Sequence, residues 1–133
     1  MQIKLDVIVS RQLLFDTFVT AMKGGIGYFA VASEYKWQKP GTDGEEDLEN
    51  FRAVVSDAEA EEDEDGDFKD KVIDKAVIEK GFEKIINDDN LKISSDIRRK
   101  VALAMIEPEN ADLDANDVDC IVQVGLFGEL VYA

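Results

Sequence analysis

The stretch from Asp114 to Ala133, Asp-Ala-Asn-Asp-Val-Asp-Cys-Ile-Val-Gln-Val-Gly-Leu-Phe-Gly-Glu-Leu-Val-Tyr-Ala, constrains the fold more than any other. Read at helical spacing, Asn116, Asp119 and Gln123 fall on one narrow stripe. Val118, Cys120, Ile121, Val122, Val124, Leu126 and Phe127 fill the remaining circumference. A helix apolar on most sides has to be covered on most sides, so the spacing predicts a central helix. Gly125 and Gly128 flank Leu126-Phe127, and glycines let a helix seat against another backbone. Two partners fit that reading: the Gly24-Gly25 corner of the same chain, or a second copy of the helix in a homodimer.

The remaining elements follow from periodicity. Residues Gln2 to Val9 alternate Ile3, Leu5, Val7 and Val9 against polar residues, the pattern of a half-buried strand. From Arg11 the apolar interval lengthens to three and four, with Ser10 as N-cap, and predicts a helix to about Lys23 that Gly24 and Gly25 terminate. An aromatic strand, Tyr28 to Trp37, is expected next, with Phe29, Val31, Tyr35 and Trp37 on one face and Tyr28, Ala30, Ala32, Glu34 and Lys36 on the other. Residues 51–56 and 68–73 read as two antiparallel strands joined by the acidic run 57–67. Helices are expected from Asp74 to Asn87, capped by Asp74, and from Ile97 to Ile106, capped within Ser94-Ser95-Asp96. Gly81, inside the first of these, costs about 1 kcal/mol against alanine, which close approach to another backbone would explain. The sum is one α+β domain over residues 1–133. A mostly antiparallel sheet of three to four strands is packed by helices with the C-terminal helix central, and 38–50 and 57–67 are expected to be mobile acidic loops.

Charge and residue usage exclude several functions. With 30 acidic against 15 basic residues and a net charge of -15, the chain lacks the basic surface that phosphate neutralisation needs, which argues against direct nucleic-acid or anionic-membrane binding and leaves a basic protein partner open. The single cysteine, Cys120, permits no intramolecular disulfide and fits a reducing cytoplasm as a small core thiol. No apolar run approaches the roughly twenty residues that cross a bilayer. The chain has no histidine, so the usual general base and commonest transition-metal ligand are missing. No catalytic residues, metal site or cofactor are therefore assigned.

Two acidic stretches imitate calcium loops and fail at the coordinating positions. Glu61, Asp63, Asp65, Gly66 and Asp67 would need a glutamate where Val72 stands; Asp112, Asp114 and Asn116 are followed by Asp117 where the tight-turn glycine belongs. Gly24-Gly25-Ile26-Gly27 follows a helix and opens a strand, the reverse of a phosphate loop. Arg98-Arg99-Lys100, the one basic cluster, is read as neutralising the protein's own acidic surface. The residues that remain as ligand or partner candidates are Gly24, Gly25, Tyr28, Trp37, Gly125 and Phe127.

Three stretches together resemble a family of small uncharacterised tailed-bacteriophage proteins: Leu14 to Phe29, with Met-Lys-Gly-Gly-Ile-Gly-Tyr-Phe; Val72 to Phe82, with Ile-Glu-Lys-Gly-Phe; and Asp117 to Tyr132, with Leu-Phe-Gly-Glu-Leu-Val-Tyr. The blocks occur in the family's order at both ends and the middle. Departures are Lys23 for a glutamate, Gly27-Tyr28-Phe29 for Asn-Tyr-Trp, and Ala133 for a terminal glycine. The resemblance implies expression in a bacterial host and supplies no activity. The resulting expectation is a non-enzymatic phage accessory protein that binds a host or phage protein, as in countering a host defence. The alternatives are an acidic nucleic-acid mimic blocking a DNA-binding enzyme, and a small-ligand or nucleotide-binding sponge or enzyme.

Overall fold

The computed structural model describes residues 9–27, 30–57 and 70–132. Its elements are helix α1 (Arg11–Thr20) with a π turn (Ala21–Gly25), strands β1 (Ala30–Lys36), β2 (Arg52–Asp57) and β3 (Lys71–Asp74), helix α2 (Lys75–Asn87), helix α3 (Ser95–Ile106) with a 3-10 turn (Pro108–Asn110), and helix α4 (Ala115–Phe127). The strands form an antiparallel sheet in the order β1-β2-β3. Residues 2–8 of the expected strand 2–9, residues 28–29, and residues 58–69, which take in most of the acidic run 57–67 and the start of the strand expected over 68–73, lie outside the described residues.

Local capping sets the helix starts. Ser10 Oγ accepts from the Leu13 N–H, an Asp74 carboxylate oxygen from the Val77 N–H, and Ser94 Oγ from the Ile97 N–H. Each satisfies an N–H group that the first turn cannot pair internally. At α4, Asp114 and Asp117 exchange side-chain-to-backbone bonds in a reciprocal capping box.

Apolar spacing then buries one face of each element. Phe15 and Phe18 of α1 pack on Phe51 at ring-centroid distances of 5.7 and 4.7 Å, and all three are buried. Full burial of each such ring contributes roughly 1.5–3 kcal/mol. Behind them Ala53, Val55 and Ile73 form the inner sheet face against Ile78, Phe82 and Ile85 of α2 and Ile121, Val122 and Val124 of α4 in one continuous core. The expected alternation of Phe51, Ala53 and Val55 against exposed Arg52 is observed.

α4 is central, touching α1, the π turn, β3 and above all α2. The α2–α4 contact is backbone on backbone. A Cβ on Gly81 would lie 2.2 Å from the Ile121 carbonyl oxygen, and one on Gly125 would lie 2.2 Å from that of Val77. The close approach expected of Gly81 is therefore real, and it explains the glycine. The backbone that Gly125 meets within the chain is Val77 of α2, where the Gly24-Gly25 corner was expected.

Two further findings and one correction follow. α4 stops at Phe127, where Gly128 turns into the left-handed region at φ 82°, and residues 129–132 run back instead of extending the helix. Its polar stripe is not a solvent face, since Asp119 and Gln123 are buried. In β1 the register slips by one residue between Ser33 and Lys36, with Glu34 at φ 47°. This bulge moves the alternation over, so that buried Ala30 lies on the inner side with Tyr35 and Trp37, against the expected partition.

Candidate functional site

The bulge aims two large aromatics at α1. Tyr35 stacks on Phe18 with centroids 5.5 Å apart, and half-buried Trp37 packs against the core edge. Between them and α1 opens a cleft of about 410 Å³ lined by Phe15, Val19, Met22, Tyr35 and Trp37, with Lys23 and Glu46 as its charged members. Tyr35 remains 41% exposed, and burial of the rest pushes its phenol above the ordinary value.

The rim is held by hydrogen bonds beyond β1. The Asp47 N–H donates to the Trp37 carbonyl at 3.0 Å, the Lys39 N–H to the Glu45 carbonyl at 2.8 Å, and Gln38 bridges Glu46. The Asp47 carboxylate accepts the N–H groups of Glu49 and Asn50, while Glu49 receives Arg11 at 2.7 Å and Lys75 at 2.8 Å. Those two cations hold the Glu49 carboxyl below its ordinary range, Lys75 first and Arg11 next. Segment 45–50 is thus tied to the N-termini of α1 and α2, which fixes Glu46 at the cleft.

The candidate residues divide between three places. Trp37 lines the cleft, whereas Gly24, at φ 142°, and Gly25 close the π turn next to Lys23 and are not among the lining residues. Tyr28 lies outside the described residues. Gly125 is consumed by the α2 contact, and Phe127 packs edge-on against Tyr132 at 6.1 Å. Sequence reasoning missed Phe15, Val19, Met22 and Glu46 as cleft residues. The helical spacing marked the first three only as core, and nothing local marked Glu46.

The basic cluster serves the fold. Arg98 donates to the carbonyl oxygens of Ile85, Asp88 and Leu91 at 2.7, 3.1 and 3.1 Å, closing the C-terminal end of α2. Arg99 pairs with Asp96, and Lys100 pairs with Asp117 and lies 3.7 Å from Asp114. The Asp117 partnership raises the Lys100 pKa, and the Asp117 N–H lowers that of Asp114. Asp114, the second member of the failed calcium pattern, is spent on capping. Among the described residues no group of three or more acidic, cysteine or histidine side chains could hold a metal ion, and no helix is long and apolar enough to cross a membrane. Cys120 is buried, and burial with the neighbouring Asp119, Asp117 and Asp114 pushes its thiol up to about 11. A neutral, covered thiol is a poor nucleophile.

What the fold and cleft define is an acidic α+β domain with an aromatic, charge-rimmed recess at one end of its sheet. Comparison with family models, curated proteins and solved structures finds no match to the chain.

Proposed function

We propose that this protein works by binding, as a non-enzymatic bacteriophage accessory protein in the bacterial cytoplasm that engages a host or phage protein. A host-defence protein is the narrowest form of that target. The observation that carries the binding part is the cleft, with an exposed Tyr35 and a half-buried Trp37 on a strained strand beside Lys23 and Glu46. Tyrosine and tryptophan in a partly desolvated recess with a polar rim are the side chains that dominate protein–protein binding energy. The phage assignment rests on the resemblance of the three sequence blocks.

The test is a photo-crosslinking residue at position 35, exposed to lysate of a phage-susceptible bacterium. The expected outcome is one discrete protein adduct that Trp37→Ala suppresses while leaving the helical circular-dichroism spectrum intact. No adduct, together with a small metabolite or nucleotide retained in native mass spectrometry, would overturn the proposal in favour of a ligand-binding role.

A further inference from the structure

The two walls of the aromatic cleft carry opposite charges. Lys23 stands on the π turn that continues α1, and Glu46 on the segment that bridges back to Gln38 just beyond β1. Both are exposed, and among the described residues neither side chain makes an ion pair or a hydrogen bond. The other acids of the Glu46 segment are already engaged: Glu45 takes Lys39 at 3.0 Å, the Asp47 carboxylate accepts the Glu49 and Asn50 N–H groups, and Glu49 holds Arg11 and Lys75. Both charges rise from held backbone. The Lys39 N–H donates to the Glu45 carbonyl and the Asp47 N–H to the Trp37 carbonyl, on either side of Glu46, and the π turn packs against α4. A backbone fixed before binding leaves only the side chains to be ordered.

Between the charges the lining is apolar, with Phe15, Val19 and Met22 on one wall and Tyr35 and Trp37 on the other, around about 410 Å³. That volume is in the range of ligand pockets. An uncharged occupant would draw Lys23 and Glu46 partly out of water with nothing in return, and an occupant of one sign would meet its own sign on one wall. An apolar body bearing both charges satisfies the whole lining. A free amino acid carries its ammonium and carboxylate on one carbon, whereas Lys23 and Glu46 approach from two walls too far apart to pair with each other. A chain segment spreads its charges over several residues and can reach both.

Resting on the binding role proposed for this cleft, we infer the chemistry of the partner: a protein segment that inserts an apolar side chain between Met22, Tyr35 and Trp37 and flanks it with an acid facing Lys23 and a base facing Glu46. Charge placement of this kind sets specificity more than affinity, because a mismatched partner brings like charges together. The net charge of -15 attracts any basic segment from a distance. That attraction does not distinguish an acid-and-base pair from two bases, and it fades at about 0.15 M salt, where the screening length is about 8 Å. Selection by the two walls acts at contact and survives.

Trp37 is the chain's single tryptophan, so its indole N–H resonance reports the cleft directly. The experiment titrates the isotope-labelled full chain, at about 0.15 M salt, with free leucine and with four acetylated, amidated peptides: Glu-Ala-Leu-Ala-Lys, Lys-Ala-Leu-Ala-Glu, Lys-Ala-Leu-Ala-Lys and Glu-Ala-Leu-Ala-Glu. One of the two mixed-charge peptides is expected to bind about two- to fivefold more tightly than either uniform peptide, the range of an exposed ion pair. Lys23→Gln should erase its advantage over the all-basic peptide, and Glu46→Gln its advantage over the all-acidic one; both positions are exposed, so neither change touches the core. The inference is overturned by equal affinities, by the all-basic peptide binding best, by an advantage that survives both substitutions, by free leucine matching the peptides, or by a Trp37 resonance that no peptide moves. A discrete protein adduct at position 35 beside any of those results leaves the binding role standing and removes only its charge selection. The absence of that adduct bears on the role itself.

Discussion

The α2–α4 seam and the β1 bulge both set backbone against sterics, in opposite senses. At the seam, Gly81 and Gly125 sit in regular helix, and what they lack is room, with a carbonyl 2.2 Å from where each Cβ would stand. At the bulge, Glu34 is exposed and has room, but its φ of 47° lies where a side chain costs about 1–2 kcal/mol. Glycine is thus present at the seam, where space demands it, and absent at residue 34, where only conformation would favour it. The seam is a packing requirement of the core; the bulge is tolerated strain, and what it delivers is the inward aim of Tyr35 and Trp37. Strain of that kind is sustained by surrounding structure and concentrates at functional sites.

The largest test of this contrast is at the seam. Gly125→Ala or Gly81→Ala has to push α2 and α4 apart, and each is expected to cost about 3 kcal/mol or more in urea unfolding. The double substitution should cost less than the sum, because helices already separated for one methyl admit the second more easily. Additive effects, or losses near those of a surface site, would mean that the seam is not the close contact described.

An intermediate effect is expected at the bulge. Glu34→Gly removes the left-handed penalty and should stabilise by up to about 1 kcal/mol, whereas Glu34→Val should destabilise by about the same amount. Thermal melts of the two variants decide it. If both behave as neutral surface changes, Glu34 is not strained and the bulge has no special backbone.

The smallest effect separates the two regions by pH. α4 begins at a carboxylate whose pKa lies below its ordinary 3.8, chiefly because the Asp117 N–H donates to Asp114. A carboxylate lowered on folding stabilises above its unfolded pKa and loses that contribution as pH falls through the folded value. The stability advantage of the wild type over Asp114→Asn should therefore be constant near neutrality and shrink below about pH 3.8. Lys100, raised by Asp117, runs the other way: its contribution is present below its ordinary 10.5 and fades above it.

Much of the fold was legible because its causes are local. Ser10, Asp74 and Ser94 cap helices through bonds to residues three positions on, a reach that sequence spacing exposes directly. The α+β class, the antiparallel pairing of β2 with β3 and the centrality of α4 followed from apolar period. Of the residues the sequence singled out, Trp37 lines the cleft, while the lining from α1 carried no separate signal. Phe15, Val19 and Met22 carry the same helical period whether they meet a core or a cleft.

The sequence alone determined where helices start, which faces are apolar, and that a charge of -15 surrounds a core with one thiol. Tertiary structure decided the rest. It chose Val77 as the partner of Gly125, used Arg98 to close α2, and slipped β1 by one residue so that Tyr35 and Trp37 turned inward. It also reversed the chain at Gly128, so that Gln123, a polar residue on an apolar helix, met the backbone of its own tail. The physical reason is range: capping and periodicity act within a few residues, whereas register, close approach and the partner of a buried amide depend on segments far apart in sequence.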